Sequence, residues 1–495
     1  MGIIVRQSIK TTLVIFFGAL LGALTNYVYA LVFTKPQLGF VTFFVYQAAF
    51  IQAIALMGTS ALMQVYIQKY TDEPLKQKAL VSFSSLVTLF ACIIFTIGYY
   101  WFKDFIISHY QDQDRANLEK YYWLTPFTVV CWAFMTLFDH YLMSQHKVAI
   151  SAFMREVMVR LLTIVFLILF VLGLIDFNQF VALIVATYLV PAVILLWISL
   201  RIRGFGFTLN FNAFNRQTYR EIIHFCWYHL LLMASIYIIG YIDILMLAPL
   251  NKGGVATLAV YRIALFIISI MIIPYRAIAT ASFAVLNRTY IEESTDKLRI
   301  LFDRLGNNIL IVAVCMFCLI ACNLDNVVAI FPAGYEDIKP IVFILMIGRI
   351  IDMATGMNNE FISISKYYKF NFRISILLVI ISFVFMRYSI PKYGIYGAAW
   401  SSTFALAVFN ILKMIFLWVK MGLQPINKKS ALIIIAGAIS YGLALLIPYC
   451  LNPVVDTIIR SSVVAASYLI ILLLTGASPD LKDYLASVKA NRRLF

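Results

Sequence analysis

GVATLAVYRIA, residues 254–264, restates GFVTFFVYQAA, residues 39–49. At one constant offset Gly39 answers to Gly254, Thr42 to Thr257, Val45 to Val260, Tyr46 to Tyr261 and Ala49 to Ala264, while Gln47 answers to Arg262. Each copy follows a turn on the outer side and opens an apolar helix running inward. A parallel repeat of six helices, its halves related by an axis along the membrane normal, places a phrase twice in this way. The chain is therefore expected to be all-α. Two pseudo-symmetric six-helix bundles, 1–215 and 216–425, surround a central cavity, and two additional helices and a cytoplasmic tail follow at 426–495.

Composition points the same way. Of 495 residues, 63% are hydrophobic and only 13% charged, where a soluble chain carries about 25% charged residues. Mean hydropathy is +0.90. Apolar runs of span length recur from Leu13 to Thr475, and a bilayer core needs about 20 apolar residues per helix, giving about fourteen spans here. The second is expected at Phe40–Tyr66, the fourth at Tyr121–Met143, the fifth at Ile150–Leu174, the tenth at Ile338–Ile362, the eleventh at Phe370–Met386 and the twelfth at Gly394–Trp418. The first run is too long for a cleavable signal segment and lacks a small-residue exit. No segment shows the alternation of an outer-membrane barrel.

The net charge of +16 reads as orientation rather than nucleic-acid binding. With the N-terminus inside, basic residues such as Lys76, Lys78, Arg201, Arg203, Lys366, Lys369, Lys428, Lys429, Arg492 and Arg493 gather in the inner loops and tails. About 23 lie inside against about 9 outside, the positive-inside pattern, and both termini are expected to be cytoplasmic. No loop is long enough for a soluble catalytic domain. The longest outer one is Lys103–Lys120. Cys315, Cys318 and Cys322 share one face of an apolar helix and read as small buried hydrophobes rather than metal ligands. No metal or organic cofactor is expected, and neither is enzymatic activity.

Three stretches carry a family resemblance. YIDILMLAPLNKGGVATLAVYRIA (Tyr241–Ala264) resembles the seventh-to-eighth-helix stretch of the polysaccharide transporter branch of the multidrug/oligosaccharidyl-lipid/polysaccharide (MOP) exporter superfamily, with Asp243, Val260, Tyr261 and Ala264 in comparable places. IPKYGIYGAAW (Ile390–Trp400) is similar to the family motif between helices eleven and twelve, with Gly394, Gly397, Ala398 and Ala399 matching in position. ALMGTSALMQVYIQKY (Ala55–Tyr70) looks like the family's second-helix ending.

The resemblance implies a flippase of the bacterial cytoplasmic (inner) membrane. Such a protein moves undecaprenyl-diphosphate-linked oligosaccharide, an O-antigen or capsule/exopolysaccharide repeat unit, between leaflets by alternating access. Its partners would be that lipid-linked substrate, membrane lipids, a polysaccharide polymerase and glycosyltransferases. The same superfamily contains cation-coupled multidrug exporters and peptidoglycan lipid-precursor flippases, and a shared fold does not separate these functions. Coupling to H+ or Na+ is left open. Relatives often carry arginines where this chain has Gln64 or Val65, and Leu31, Val32 and Phe33; a diphosphate here must therefore meet other cations.

Arginine forks suit phosphate oxygens, and a charge inside the membrane must face protein or water. The candidate substrate cations are Arg262, Arg349, Arg160, Arg276, Arg155 and Lys413. The candidate coupling or ion-pair acids are Asp243, Asp352, Glu156, Glu360 and Asp139. Spacing predicts a Glu156–Arg160 pair that leaves Arg155 free near the inner surface, and an Arg349–Asp352 pair whose face continues through Gly356 and Asn359 to Glu360. Arg262 faces either substrate or Asp243. Asp139 with His140 reads as an interfacial cluster or a proton carrier. The glycines of GALLG (Gly18–Gly22) read as a close helix contact. A membrane sugar polymerase or acyltransferase is disfavoured, because the outer loops are short and the histidines form no cluster.

Overall fold

The computed structural model describes residues 2–208, 210, 213–292, 295–449 and 452–478; the expected cytoplasmic tail with Lys482, Lys489, Arg492 and Arg493 lies outside them. The chain divides into two compact units, residues 1–259 and 260–495. The first contains α1 (Gly2–Val32), α2 (Lys35–Ala55), α3 (Thr59–Lys69), α4 (Pro74–Trp101), α5 (Lys103–Ser108), α6 (Asp112–Lys120), α7 (Leu124–Ser144), α8 (Val148–Ala152), α9 (Val159–Val171), α10 (Phe177–Leu200) and α11 (Arg216–Leu250). Helix α12 (Thr257–Glu292) leads into the second, with α13 (Thr295–Ala321), α14 (Leu324–Ala329), α15 (Ile338–Ala354), α16 (Asn358–Ile364), α17 (Tyr368–Met421), α18 (Lys428–Leu445) and α19 (Pro453–Thr475).

The chain is a multi-pass membrane protein. Among the described residues nine helices are long and apolar enough to cross a bilayer, or up to eleven if two bent pairs each count once. Helix α17 runs for 54 residues. At 1.5 Å per residue it would measure about 80 Å, far beyond a hydrocarbon core of about 30 Å. Gly394 breaks it with φ 57° and ψ −131°, so it holds both the eleventh and the twelfth expected spans. The same motif closes the bend. A Cβ on Gly397 would lie 2.4 Å from the Ser389 carbonyl oxygen. Ala398 and Ala399 are fully buried, and the Ser389 hydroxyl donates to the Gly397 carbonyl oxygen at 3.0 Å. Small residues are what this hairpin needs.

Several expected helices are interrupted. The second span breaks at Met57–Gly58, both at positive φ. A Cβ on Gly58 would sit 2.1 Å from the Cys226 carbonyl oxygen of α11, so glycine permits both the turn and the approach. The fifth span contains a π-helical turn, Phe153–Met158, between α8 and α9. The tenth is not one continuous face: it breaks between α15 and α16 with a 43° bend around Gly356 at φ 69°. The expected outer loop folds as α5 and α6, and α6 meets α7 at 60°.

The expected close contact at GALLG is present, since a Cβ on Gly18 would lie 2.9 Å from the Glu156 Cβ. Cys318 and Cys322 are buried against α18 and α19, with Cys315 packed beside them. The two C-terminal helices are tied by one buried side chain. Arg460 donates to Asp456 Oδ2 at 2.6 Å and to the carbonyl oxygens of Ala444 and Ile447 at 3.0 and 2.9 Å. It thereby caps the end of α18, and Asn326 donates to the same carboxylate at 2.7 Å. Breaking a buried pair from one side costs about 3–5 kcal/mol, with Asn326 moderating the loss here. Arg460→Leu is therefore expected to lower stability by about 3 kcal/mol and to expose the α18–α19 turn to protease while the rest of the chain stays protected. Unchanged proteolysis would refute that role.

Candidate functional site

Two charge clusters lie within the expected spans, one in each unit. In the first, the π-helical turn sets the geometry. A π-turn inserts an extra residue into one turn and rotates every later side chain, and such turns recur at functional sites. Here it aims Arg155 at α7: its Nη1 donates to Asp139 Oδ2 at 2.8 Å and its Nε to Glu156 Oε1 at 3.2 Å. Asp139 is buried and also accepts the Ser151 hydroxyl. The expectation of a free Arg155 is thus corrected, because the turn that spacing alone does not reveal gives it two carboxylates. Its side chain nevertheless remains 42% exposed, leaving donors open on the far side. The expected Glu156–Arg160 pair is present at 2.8 Å, and Arg160 also donates to the Glu156 carbonyl oxygen. Asp139 is buried in the protein, and His140 contacts the Thr136 carbonyl oxygen.

A neutral polar track continues along α2. Gln52 accepts from Thr136 at 3.5 Å and bonds Tyr237 of α11. Gln47, the counterpart of Arg262, accepts from Tyr99 and Thr125 at 3.4 Å each. Tyr46 and Tyr241 meet edge to face at 5.2 Å. The sequence expectations missed this track, although its signal is there: Gln47 and Gln52, five residues apart in the apolar C-terminal half of α2.

In the second unit the break between α15 and α16 exposes side chains that a continuous helix would keep in register. Arg349 and Asp352 pair at 3.4 Å, both half-buried. Tyr275 of α12 donates to both Glu360 oxygens at 3.2 and 3.3 Å. Lys413 is only 1% exposed. Its Nζ donates to Asn359 Oδ1 at 2.8 Å and lies 3.8 Å from the Phe409 ring centroid, while Asp352 and Glu360 supply opposite charge at longer range. The structure thus gathers Arg349, Asp352, Glu360 and Lys413 in one place, makes Asn359 of the expected face the direct partner of Lys413, and adds Tyr275. Arg276 is exposed and joins neither cluster among the described residues. Asp243 is buried in α11 and Arg262 half-buried in α12.

The two repeated phrases meet in the first unit. A Cβ on Gly39 would lie 1.9 Å from the Val255 carbonyl oxygen. From the other side Asp114 of α6 accepts the Val255 N–H at 2.9 Å. Burial raises the Asp114 carboxyl, and that hydrogen bond opposes the rise.

The profile of the family described as polysaccharide biosynthesis protein matches residues 4–289. The chain belongs to this family. Among solved structures, the chain is similar to the lipid II flippase MurJ in an inward closed conformation, at 13% identity and TM-score 0.75, over 94% of this chain and 98% of that one. It is also similar to a multidrug resistance MATE family transporter of the MOP superfamily in an inward-facing conformation, at 15% identity and TM-score 0.64, over 82% and 94%. A MOP superfamily transporter from Pyrococcus furiosus Vc1, described by the reverse polarity of its binding pocket, matches at 16% identity and TM-score 0.59, over 85% and 95%. No curated protein sequence matches significantly. The fold is that of MOP superfamily transporters.

Proposed function

We propose that this protein is a flippase that carries polyprenyl-diphosphate-linked oligosaccharide from the inner to the outer leaflet of the bacterial cytoplasmic membrane by alternating access. The observation that carries the reading is membership of the polysaccharide biosynthesis family in a chain built of membrane helices that keep arginine and lysine at depth. A polysaccharide step performed by such a chain is movement of its lipid-linked unit, and buried cations match the diphosphate that must leave water. Both termini are cytoplasmic in this reading, and Arg155, Arg160, Arg349, Lys413 and Arg262 are the cations through which the headgroup passes. Arg276 is assigned to inner-surface anchoring. The carboxylates Asp139, Asp243, Asp352, Glu156 and Glu360 balance these cations, and any coupling to H+ or Na+ would run through them.

A multidrug exporter of the same fold fits less well, because buried cations repel cationic drugs. Deletion of the gene is expected to leave lipid-linked repeat units on the cytoplasmic side, read by labelling of surface-exposed glycan. Normal surface glycan with increased drug sensitivity would reject the flippase reading in favour of the exporter.

A further inference from the structure

We infer that the neutral polar track of the first unit takes the sugar part of the substrate, through Gln52, Tyr237, Tyr241, Tyr46 and Gln47. The inference rests on the flippase reading and deepens it. A neutral sugar ring engages the first unit, while the buried Lys413 of the second, held by an amide, serves the diphosphate. Four elements converge at one end of the track. Gln52 of α2 bonds Tyr237 of α11 and accepts from Thr136 of α7 at 3.5 Å. Thr136 lies three residues before Asp139, hence on the same face of α7, and Asp139 holds Arg155 of the π-turn at 2.8 Å. The circuit closes because the Arg155 charge also acts on Tyr237. At the other end Tyr46 and Tyr241 meet edge to face, and Gln47 accepts from Tyr99 and Thr125.

The chemistry of the track selects among ligand classes. A sugar ring needs closely spaced donors and acceptors for its hydroxyls and a flat surface for its C–H face. Amides and phenols each offer both donor and acceptor, and a phenol adds the apolar ring face. Both hydrogen bonds of Gln47 fall on Oε1, so its Nε2 donates to no group among the described residues, and the side chain is only half-buried. A free phosphate or a cationic drug needs net charge. Here Arg155 and Arg160 are matched by Asp139 and Glu156 at 2.8 to 3.2 Å. A hydrocarbon tail needs a dry apolar lining, which amides and hydroxyls do not give. A neutral polyol is the class that remains. Room for its ring lies over α11. Gly240 is exposed, and nothing lies within 4 Å of the place its Cβ would take. It follows Tyr237 by three residues, so the two share a face, and it directly precedes Tyr241. Glycine is a poor helix former; what it supplies at this position is space beside the two phenols.

The test measures equilibrium binding to the full-length protein in phosphatidylcholine nanodiscs. The radiolabelled probes are undecaprenyl diphospho-glucose, undecaprenyl diphospho-galactose and undecaprenyl diphosphate, which carries no sugar. Wild type is expected to bind at least one glycosylated probe about tenfold more tightly than the bare diphosphate, since a site built to bond hydroxyls rejects the analogue lacking them. Tyr237→Phe removes one hydroxyl and Gln52→Leu one amide; each is expected to cut that advantage about fivefold. Gly240→Phe fills the open space and is expected to abolish it. All three should bind undecaprenyl diphosphate like wild type. Equal affinity of wild type for all three probes overturns the site. A full sugar advantage in Gly240→Phe would turn that space toward lipid and overturn it as well. Equal weakening of every probe by the variants would make the track a packing feature only. Should Gln52→Leu fail to fold, Tyr237→Phe and Gly240→Phe carry the same decision. Translocation is not read here, so the outcomes separate from the function test. A protein that shows the sugar advantage but moves no glycan keeps the site and loses the flippase reading; one that moves glycan without the advantage does the reverse.

Discussion

Gly39→Val is expected to yield no stably folded protein, and Gly39→Ala to lower the melting temperature clearly. The added Cβ would lie 1.9 Å from the Val255 oxygen, 2.6 Å from its carbonyl carbon and 3.0 Å from Ala256 Cα. Overpacking of side chains costs about 1–3 kcal/mol when neighbours can shift. Here the neighbour is backbone, and it is held from behind. Asp114 fixes the Val255 N–H, and Gln111 donates to the Pro249 carbonyl oxygen of the same turn at 3.3 Å. Gly254 has φ 55°, and a Cβ there would meet Asp114 Oδ2 at 2.0 Å. The turn has nowhere to go, so the strain falls on the packing of α2 against α11. Gly98→Ala is the matched control, because nothing lies within 4 Å of the place its Cβ would take. Fluorescence-detected size exclusion and thermal melting in detergent read both. A Gly39→Val protein that melts like wild type would show that the contact bears no load.

The all-helical membrane fold was legible in the sequence because its signal is long apolar runs with small residues where helices meet. The glycines of the repeated phrase answer to different needs: Gly39 admits a neighbouring backbone, while Gly254 supplies a left-handed turn. IPKYGIYGAAW likewise announced its bend, since proline and glycine act on the local chain. Pairs fixed by helical spacing, Glu156–Arg160 and Arg349–Asp352, could be read from the sequence for the same reason. Contacts that depend on a break in the helical register could not. The π-turn redirects Arg155 to Asp139, sixteen residues away and on another helix. The bend at Gly356 brings Asn359 to Lys413. A one-residue change in register rotates every later side chain by about 100°, and no composition signal marks where it occurs. Tyr275, the phenol that bonds Glu360, and Gln52, the amide between Thr136 and Tyr237, escaped for a related reason: attention to charge alone passes over the phenols and amides packed around it.

Lys413→Met is expected to reduce transport of lipid-linked glycan about a hundredfold, about 2.7 kcal/mol of lost stabilisation along the transport cycle, while leaving the melting temperature unchanged or raised. The two halves of that expectation have separate causes. A cation buried at this level, with a neutral amide as its direct partner and carboxylates at longer range, carries a desolvation penalty that imperfect pairing does not offset. Methionine fills nearly the same volume and keeps the contact with the Phe409 ring, so stability should not fall. A protein that retains such a charge against its own stability is expected to use it. In the proposed cycle the Lys413 ammonium exchanges Asn359 for the diphosphate, with Asp352 and Glu360 keeping the site neutral when it is empty. Lys413→Arg should then retain much of the activity, since a guanidinium also binds phosphate, although the bulkier fork must repack against α16. Surface labelling of glycan at matched membrane abundance reads transport, and detergent melting reads stability. Full transport by Lys413→Met would remove the residue from the substrate path. A large fall in melting temperature would instead make it a structural tie between α16 and α17.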